Sequence, residues 1–195
     1  SVWSDTYERG AGELLVVQQA IAEEIVERVL PDAGAVETAP ATRNADANEL
    51  MLLAQHYEKQ VRSRSEVDVP LLLKAIGLYR EATEADPESA LAHSRLARAL
   101  LYLGDREAAE APIFRALSLD PDLSEVQNTL GDYYLLRGMS KYVEAYKRAI
   151  DLDPYNADAL SNYAFATWFN IDAHTKGYAN PGPLYRRALE LDPLS

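Results

Sequence analysis

Cysteine is absent from the 195 residues of this chain, and histidine occurs only three times. The lack of cysteine excludes disulfides, thiol catalysis and thiolate metal sites, and it makes the cytoplasm the expected compartment. The three histidines, His56, His93 and His174, are far apart in sequence and lack the paired spacing of metal ligands. We find no glycine-rich phosphate loop and no catalytic constellation. We therefore expect a non-enzymatic chain without metal or cofactor.

Basic residues are also scarce, since 19 lysines and arginines stand against 31 aspartates and glutamates, for a net charge of −12. Nucleic-acid surfaces need a basic patch, so we expect no direct contact with nucleic acid. The acidic balance fits a solvated surface or a partner that carries a basic segment. Long apolar runs are lacking as well, and none approaches the roughly 18 residues that a membrane span requires. We expect no membrane partner.

The sequence does contain a repeated motif: the string at its C-terminal end resembles three strings that come earlier in the chain. The strings EATEADPESALA, RALSLDPDLSEV, RAIDLDPYNADAL and RALELDPLS carry Pro87, Pro121, Pro154 and Pro193, at spacings of 34, 33 and 39 residues. A period near 34 predicts a solenoid of paired helices. Each proline stops one helix, because it disfavours helical geometry in the residue before it.

The residue two positions after each proline is suited to begin the next helix. Ser89, Asn156 and Ser195 can each accept a hydrogen bond from a free backbone amide, a cap typically worth ~1 kcal/mol. The remaining repeat has Leu123 there, and we expect the polar residues on either side to substitute. Because Ser195 stands where a helix would start, we expect a further helix to follow it.

Two apolar stripes at helical spacing lie between successive prolines. Small residues beside large ones let paired helices approach closely. Gly104 and Gly138 fall at turns within two pairs, where glycine readily supplies a positive φ. In the fourth repeat, about five extra residues predict an exposed loop that Pro181 and Pro183 stiffen. The stripes are Leu96, Ala97 and Leu100, then Leu130, Gly131 and Tyr134, then Tyr163, Ala164 and Thr167 in the first helices, and Ala109, Ile113 and Ala116, then Tyr146 and Ala149, then Tyr185 and Ala188 in the second helices.

These patterns resemble the tetratricopeptide repeat, whose consensus of small and large positions is similar to "LG…Y" and "A…Y..A…LDP" here. The resemblance covers three repeats over residues 90–193 and, more loosely, an earlier helical pair. It implies an all-α protein, a right-handed tetratricopeptide-type α-solenoid of about four helical pairs over residues 47–195. The expected repeats are 47–87, 90–121, 124–154 and 157–193.

Residues 1–30 do not follow the repeat. An amphipathic helix is predicted over 13–30, and Pro31 ends it. Residues 31–46 are small and polar and are predicted to be a linker. The helix has three places to bury its apolar face: the first helical pair, its own copy in another molecule, or the solenoid groove. That face is formed by Leu14, Val17, Ile21, Ile25 and Val29.

The segment VWSDTYERGAGELLVVQQAIAEEIVERV is similar to a junction in bacterial multidomain signalling proteins, where a small α/β module precedes a helix and then tetratricopeptide repeats. The residues that carry this resemblance are Trp3, Ser4, Tyr7, Arg9, Gln19, Ile21, Ala22, Ile25 and Val26. Such proteins include class III adenylate cyclase-like proteins and winged-helix transcriptional regulators. The resemblance implies that residues 1–30 contain the remnant of a preceding module.

The function expected from these features is a non-catalytic interaction and regulatory module of a larger bacterial signalling protein, adenylate cyclase-like in the first place. One alternative is the C-terminal sensing region of a winged-helix transcriptional regulator. Another is a scaffold that associates with itself, either through the 13–30 helix or through the open C-terminal end of the solenoid.

The first helices of such an array line a concave groove, and residues just past the packing stripe should face it, since each step along a helix turns by about 100°. We expect a protein or peptide segment there, from another molecule or from this chain, anchored by aromatic residues. The alternative is that these aromatics pack on the 13–30 helix, the long loop or a following helix. The predicted groove residues are Arg98, Leu101 and Tyr102, then Asp132, Leu135 and Leu136, then Phe165, Trp168 and Phe169, with Ser94, Asn128 and Ser161 one turn earlier.

The expected anchors of the bound segment are Tyr102, Trp168 and Phe169. A peptide C-terminal carboxylate is disfavoured as the ligand. Arg98 is the only cation among the predicted groove residues, and Asp132 would repel a second carboxylate.

Overall fold

The computed structural model describes residues 45–62, 67–169 and 180–192, without the side chain of Phe169. The predicted 13–30 helix, nearly all of the predicted linker, residues 170–179 of the predicted loop and Ser195 lie outside these ranges. The described residues form eight α-helices and no β-strand, which confirms the all-α prediction. The helices are α1 (Ala45–Arg62), α2 (Val69–Ala85), α3 (Ala90–Leu103), α4 (Glu110–Leu119), α5 (Ser124–Leu136), α6 (Tyr142–Leu152), α7 (Ala157–Phe169) and α8 (Pro181–Leu191).

The helices stack as pairs along the chain. Each helix packs against the next one, from α1 on α2 through α7 on α8. The first helices also contact one another across the pairs, α1 with α3, α3 with α5, and α5 with α7. This arrangement is an α-solenoid in which α1, α3, α5 and α7 form one continuous layer.

Side-chain caps begin two of the first helices as predicted. The Ser89 hydroxyl accepts a hydrogen bond from the backbone N–H of Ala92 at 3.2 Å, and the Asn156 carboxamide accepts one from Ala159 at 3.0 Å. Each satisfies an amide that would otherwise lack a partner in the first turn. Among the second helices, Asp68 caps α2 in the same way, by accepting from Leu71 at 3.1 Å.

The predicted substitute cap of α5 is wrong. Leu123 occupies the N-cap position and no side chain accepts a hydrogen bond there. Ser124 instead donates to the carbonyl of Ala149 at 2.9 Å, and Asp122 pairs with Arg148. The two polar residues are thus committed to α6, the helix that packs on α5, and are not available to the first turn.

Pro181 and Pro183 lie in a helix, so their assignment to a stiff loop is wrong. Both are in the first turn of α8, whose N-cap Asn180 accepts a hydrogen bond from Gly182 at 3.0 Å. The N–H groups in the first turn of a helix have no acceptor within that helix, so the N–H that proline lacks is not missed there. The fixed φ of proline is also close to the helical value. The prolines therefore start the last helix.

The predicted stripes form the interior. All of their members are buried except Tyr134 and Tyr185, which are partly buried. Gly104 and Gly138 have φ angles of +91° and +70°, as the turns require. Gly131 allows a close approach between α5 and α6, because a Cβ built there would lie 2.4 Å from the ring of Tyr146.

Candidate functional site

A cavity of about 350 Å³ opens on the layer made by the first helices. Every residue that lines it belongs to α1, α3, α5 or α7, and we call this cavity the groove. Its lining comprises Glu58 and Arg62 of α1, Arg98, Leu101 and Tyr102 of α3, Asn128, Asp132, Leu135 and Leu136 of α5, and Asp158 and Asn162 of α7.

Seven of the residues predicted for the groove line it together: Arg98, Leu101, Tyr102, Asn128, Asp132, Leu135 and Leu136. Phe165 and Trp168 do not line it and stand exposed on α7, at 43% and 64%. The side chain of Phe169 is outside the described residues. Ser94 is buried away from the groove, where its hydroxyl donates to Thr129 of α5 at 3.0 Å. Ser161 is partly buried on α7 and is not a lining residue.

The side of α7 that faces the groove carries Asp158 and Asn162 instead. The Asn162 side-chain amide donates to the side-chain oxygen Oδ1 of Asn128 at 3.1 Å, across a sequence separation of 34 residues. The lining of α7 thus continues the 34-residue period of the groove. The predicted residue Phe165 lies 33 residues after Asp132, one residue short of this period. One residue corresponds to about 100° around a helix, so Phe165 lies on a different face of α7.

An ion-pair network centred on Arg98 ties three helices together inside the groove. The Arg98 guanidinium donates to Glu58 of α1 and to Asp158 of α7, each at 2.8 Å. Arg62 makes a second ion pair with Asp158 at 3.1 Å. The Tyr79 hydroxyl, on α2, donates to the other oxygen of Glu58 at 2.6 Å. Both carboxylates are therefore bound from two directions.

This network keeps Arg98 and Asp158 charged. Burial opposes the charge of Arg98, but the carboxylates of Glu58 and Asp158 outweigh burial and raise its pKa. Burial likewise opposes ionisation of Asp158, but hydrogen bonding from Arg62 and the charge of Arg98 hold its pKa below the ordinary value. Both arginines of the groove thus form ion pairs with carboxylates of the chain itself.

Asp132 is different, because it forms no ion pair with any residue in the described ranges. Its Oδ1 accepts hydrogen bonds from the Tyr146 hydroxyl at 2.7 Å and from the Asn162 amide at 3.1 Å. Burial raises the pKa of Asp132 to about 6, against the hydrogen bond from Tyr146 and the more distant charge of Arg98. The carboxyl is still mostly ionised at neutral pH.

The rest of the lining is apolar or aromatic. Leu101 is buried and Leu135 is half-buried, while Tyr102 and Leu136 are 49% and 36% exposed. The groove therefore combines a charged interior with an aliphatic and aromatic border that a bound chain could desolvate.

Four lining residues were not found from the sequence: Glu58, Arg62, Asp158 and Asn162. Two signals pointed to them. Glu58 and Arg62 are four residues apart on one helix face, as are Asp158 and Asn162. Asn162 also lies one full period after Asn128. Arg98 looks isolated in the sequence because its partners are 40 and 60 residues away.

Within the described ranges, no group of three or more histidine, cysteine, aspartate or glutamate side chains could hold a metal ion. No helix in the same ranges is both long and apolar enough to cross a membrane.

Comparison with known proteins agrees with this architecture. Residues 72–133 match the family model for the tetratricopeptide repeat. This segment runs from α2 to α5 and includes Arg98 and Asp132 of the groove.

Three solved structures have a similar fold, and two of them are described as tetratricopeptide repeat proteins. PilF of Pseudomonas aeruginosa is 19% identical with a TM-score of 0.55, over 76% of this chain and 62% of that one. A thermophilic tetratricopeptide repeat protein of Thermus thermophilus is 22% identical with a TM-score of 0.52, over 80% of this chain and 76% of that one. The first repeat domain of Spaghetti (RPAP3), bound to the HSP90 peptide SRMEEVD, is 19% identical with a TM-score of 0.51, over 67% of this chain and 97% of that one. At these identities the likeness shows the fold, a tetratricopeptide-type α-solenoid.

Proposed function

We propose that this chain is a non-catalytic tetratricopeptide module that binds a protein or peptide segment in the groove. The observation that carries the proposal is a cavity of about 350 Å³ lined only by first helices, with charged groups inside and exposed apolar side chains at its edge. Repeat domains of similar fold include one solved with a peptide, the Spaghetti domain with its HSP90 segment. Tetratricopeptide domains generally mediate protein–protein interaction, which supports this function.

The bound segment contributes apolar side chains to the edge of the groove. Tyr102 and Leu136 are the exposed members of the lining, and large exposed apolar groups that border a cavity are typical of interaction sites. The proposed surface continues onto α7 through Phe165 and Trp168, which are exposed beside it.

A peptide C-terminal carboxylate is not the proposed ligand. Such a group needs a free cation, and both arginines of the groove already pair with Glu58 and Asp158. The nearby Asp132 would add like-charge repulsion.

The test is a selection of nonapeptides from a phage-displayed library on the full chain, followed by fluorescence anisotropy of the selected peptides. The double variant Tyr102→Ala, Leu136→Ala should weaken their binding about tenfold or more. The matched control is Tyr155→Ala, Leu152→Ala, which removes the same side chains from exposed positions outside the groove. Its affinity should equal that of the unaltered chain. Equal losses in both variants, or none in either, would overturn the proposal.

We further propose that this module regulates a larger cytoplasmic signalling protein of bacteria, of the adenylate cyclase-like kind. The support is the resemblance of residues 1–30 to the junction that precedes such repeat arrays. Sequencing the parent reading frame tests this directly. Paired metal-binding aspartates in an upstream domain would support a cyclase, and cyclic-nucleotide production would then be assayed with and without the repeats. An upstream basic winged helix would favour a transcriptional regulator instead.

A further inference from the structure

We propose that the partner enters the groove with a lysine or arginine side chain, whose charge pairs with Asp132. This inference rests on the proposed function, since it names the chemistry of the segment that the groove binds. Its basis is the geometry of Asp132 and the charge balance of the residues around it.

The groove carries one negative charge more than it can balance. Three carboxylates line it, Glu58, Asp132 and Asp158, against the two guanidinium groups of Arg62 and Arg98. Both guanidinium groups lie within 3.1 Å of Glu58 or Asp158. The excess charge therefore resides on Asp132, the one lining carboxylate without an ion pair in the described part of the chain.

One carboxylate oxygen of Asp132 accepts hydrogen bonds from within the chain, and the other accepts none from the described residues. Tyr146 and Asn162 both donate to Oδ1, and no described residue donates to Oδ2. A carboxylate oxygen accepts two hydrogen bonds readily, and a charged donor forms the stronger kind. An ammonium or guanidinium group from outside would complete the coordination of Asp132.

The apolar lining suits the stem of a long basic side chain. Leu101 and Leu135 belong to the same cavity as Asp132, one on each of two neighbouring helices. Lysine and arginine bury their methylene groups along such surfaces and place the charge beyond them. A lysine or arginine thus matches both the apolar side chains and the carboxylate of the lining, whereas an aliphatic residue matches only the apolar side chains.

Charge also discriminates among the candidate occupants. The chain's own residues 13–30 contain four glutamates and one arginine, a net charge of −3, and would bring further negative charge to Asp132. A peptide that ends in a free carboxylate would do the same. A basic segment is attracted by the groove and by the whole chain, whose net charge is −12.

The experiment is a double-mutant cycle between chain and peptide. The probes are the phage-selected nonapeptides and their copies in which the basic residue is replaced by norleucine, which keeps the stem and removes the charge. The chain variant is Asp132→Asn, whose amide oxygen can still accept from Tyr146 and Asn162. Glu84→Gln, an exposed carboxylate on α2 outside the groove, is the matched control.

We expect most selected peptides to contain a lysine or arginine. Norleucine should lower affinity for the unaltered chain and for Glu84→Gln about tenfold or more, but for Asp132→Asn less than about twofold. Peptides that bind in the groove with no basic residue, or a norleucine penalty that persists in Asp132→Asn, would overturn this inference and leave the proposed function standing. A library that yields no groove-dependent peptide would overturn both.

A further variant tests the chain's own segment as the occupant. Ile21→Asp places a charge on the predicted apolar face of residues 13–30. If the groove is open to the partner, the affinity of the selected peptides stays unchanged. A tenfold rise would mean that residues 13–30 compete for the groove, and would overturn the argument that their negative charge excludes them from it.

Discussion

Among single residues, Gly131 shows how a missing side chain fixes the distance between two helices. The ring of Tyr146 occupies the space where a Cβ would stand, and the Tyr146 hydroxyl is tied to Asp132 in the groove. The packing of α5 on α6 is therefore coupled to the position of a groove residue. Gly77 on α2 offers a contrast, since no atom lies within 4 Å of where its Cβ would be.

We predict opposite effects for the same substitution at these two glycines. Gly131→Ala should lower the free energy of unfolding by about 1–2 kcal/mol, because overpacking against the Tyr146 ring exceeds the gain in helix propensity. Gly77→Ala should raise it by about 0.5–1 kcal/mol, since only the propensity term acts. Urea denaturation measures both. Stabilisation of both variants to the same extent would show that the Tyr146 ring moves aside freely.

Asp132 should make stability depend on pH. Its pKa is about 6 in the folded chain against an ordinary value of 3.8, mainly because it is buried. The folded state thus binds the proton more tightly, so the stability that Asp132 contributes is greatest at low pH and is lost as pH rises through about 6. The facing groups are Arg62 and Arg98, Asp158 and the Tyr146 hydroxyl.

The predicted observable is the unfolding free energy of Asp132→Asn minus that of the unaltered chain. Between about pH 4 and pH 7.5 this difference should grow by about 1–3 kcal/mol in favour of the variant. The facing groups are common to both proteins, so their own titrations largely cancel in the difference. A difference that stays flat across this range would contradict a raised pKa at Asp132.

At the scale of helices, Arg98 joins three helices that belong to different repeats of the solenoid. It connects α1, α3 and α7 through Glu58 and Asp158, and its own side chain is only 15% exposed. Breaking a buried ion pair leaves an uncompensated charge and costs far more than breaking one at the surface. The ion pair between Arg148 and Asp122 is of the surface kind, with both side chains more than half exposed.

Arg98→Met should therefore lower the free energy of unfolding by about 3 kcal/mol or more, because Glu58 loses its cation inside the groove. Arg148→Met should change it by less than about 1 kcal/mol. Thermal and urea denaturation, followed by circular dichroism, compare the two variants. Similar small losses in both would mean that the Arg98 network is solvated and contributes little to holding the first helices together.

The helices and their interior were predictable because their signals are local or strictly periodic. Ser89 and Asn156 act within three residues of their own positions, and the apolar stripes repeat with each turn. Leu123 shows the limit, since the polar residues beside it are engaged by α6. Whether a polar residue caps its own helix depends on what packs against it.

The groove was predictable only in part, for a related reason. The α3 and α5 lining is found one residue past the packing stripe. The proline spacing before α7 is 33 residues, from Pro121 to Pro154, whereas its lining keeps the period of 34. An error of one residue there selects Ser161 in place of Asn162. The ion pairs of Arg98 depend on residues 40 and 60 positions away, and a linear pattern does not contain that proximity.

At the scale of the whole molecule, the stacked pairs bring the first helices into one layer and leave the second helices outside. The groove exists only because four helices from separate repeats share that layer. Tyr79 and Tyr146 link the layers by hydrogen bonds to Glu58 and Asp132, so the outer helices support the charges of the inner ones. We propose that the partner binds on this inner layer, in the groove.

The most direct test is photo-crosslinking of a phage-selected nonapeptide that carries one benzoylphenylalanine, with the crosslinked positions mapped by mass spectrometry. We expect crosslinks on α1, α3, α5 and α7, concentrated around Tyr102 and Leu136, and their loss when excess unlabelled peptide is added. Crosslinks that fall mainly on α2, α4 and α6 would contradict this proposal, because the partner would then bind the outer layer.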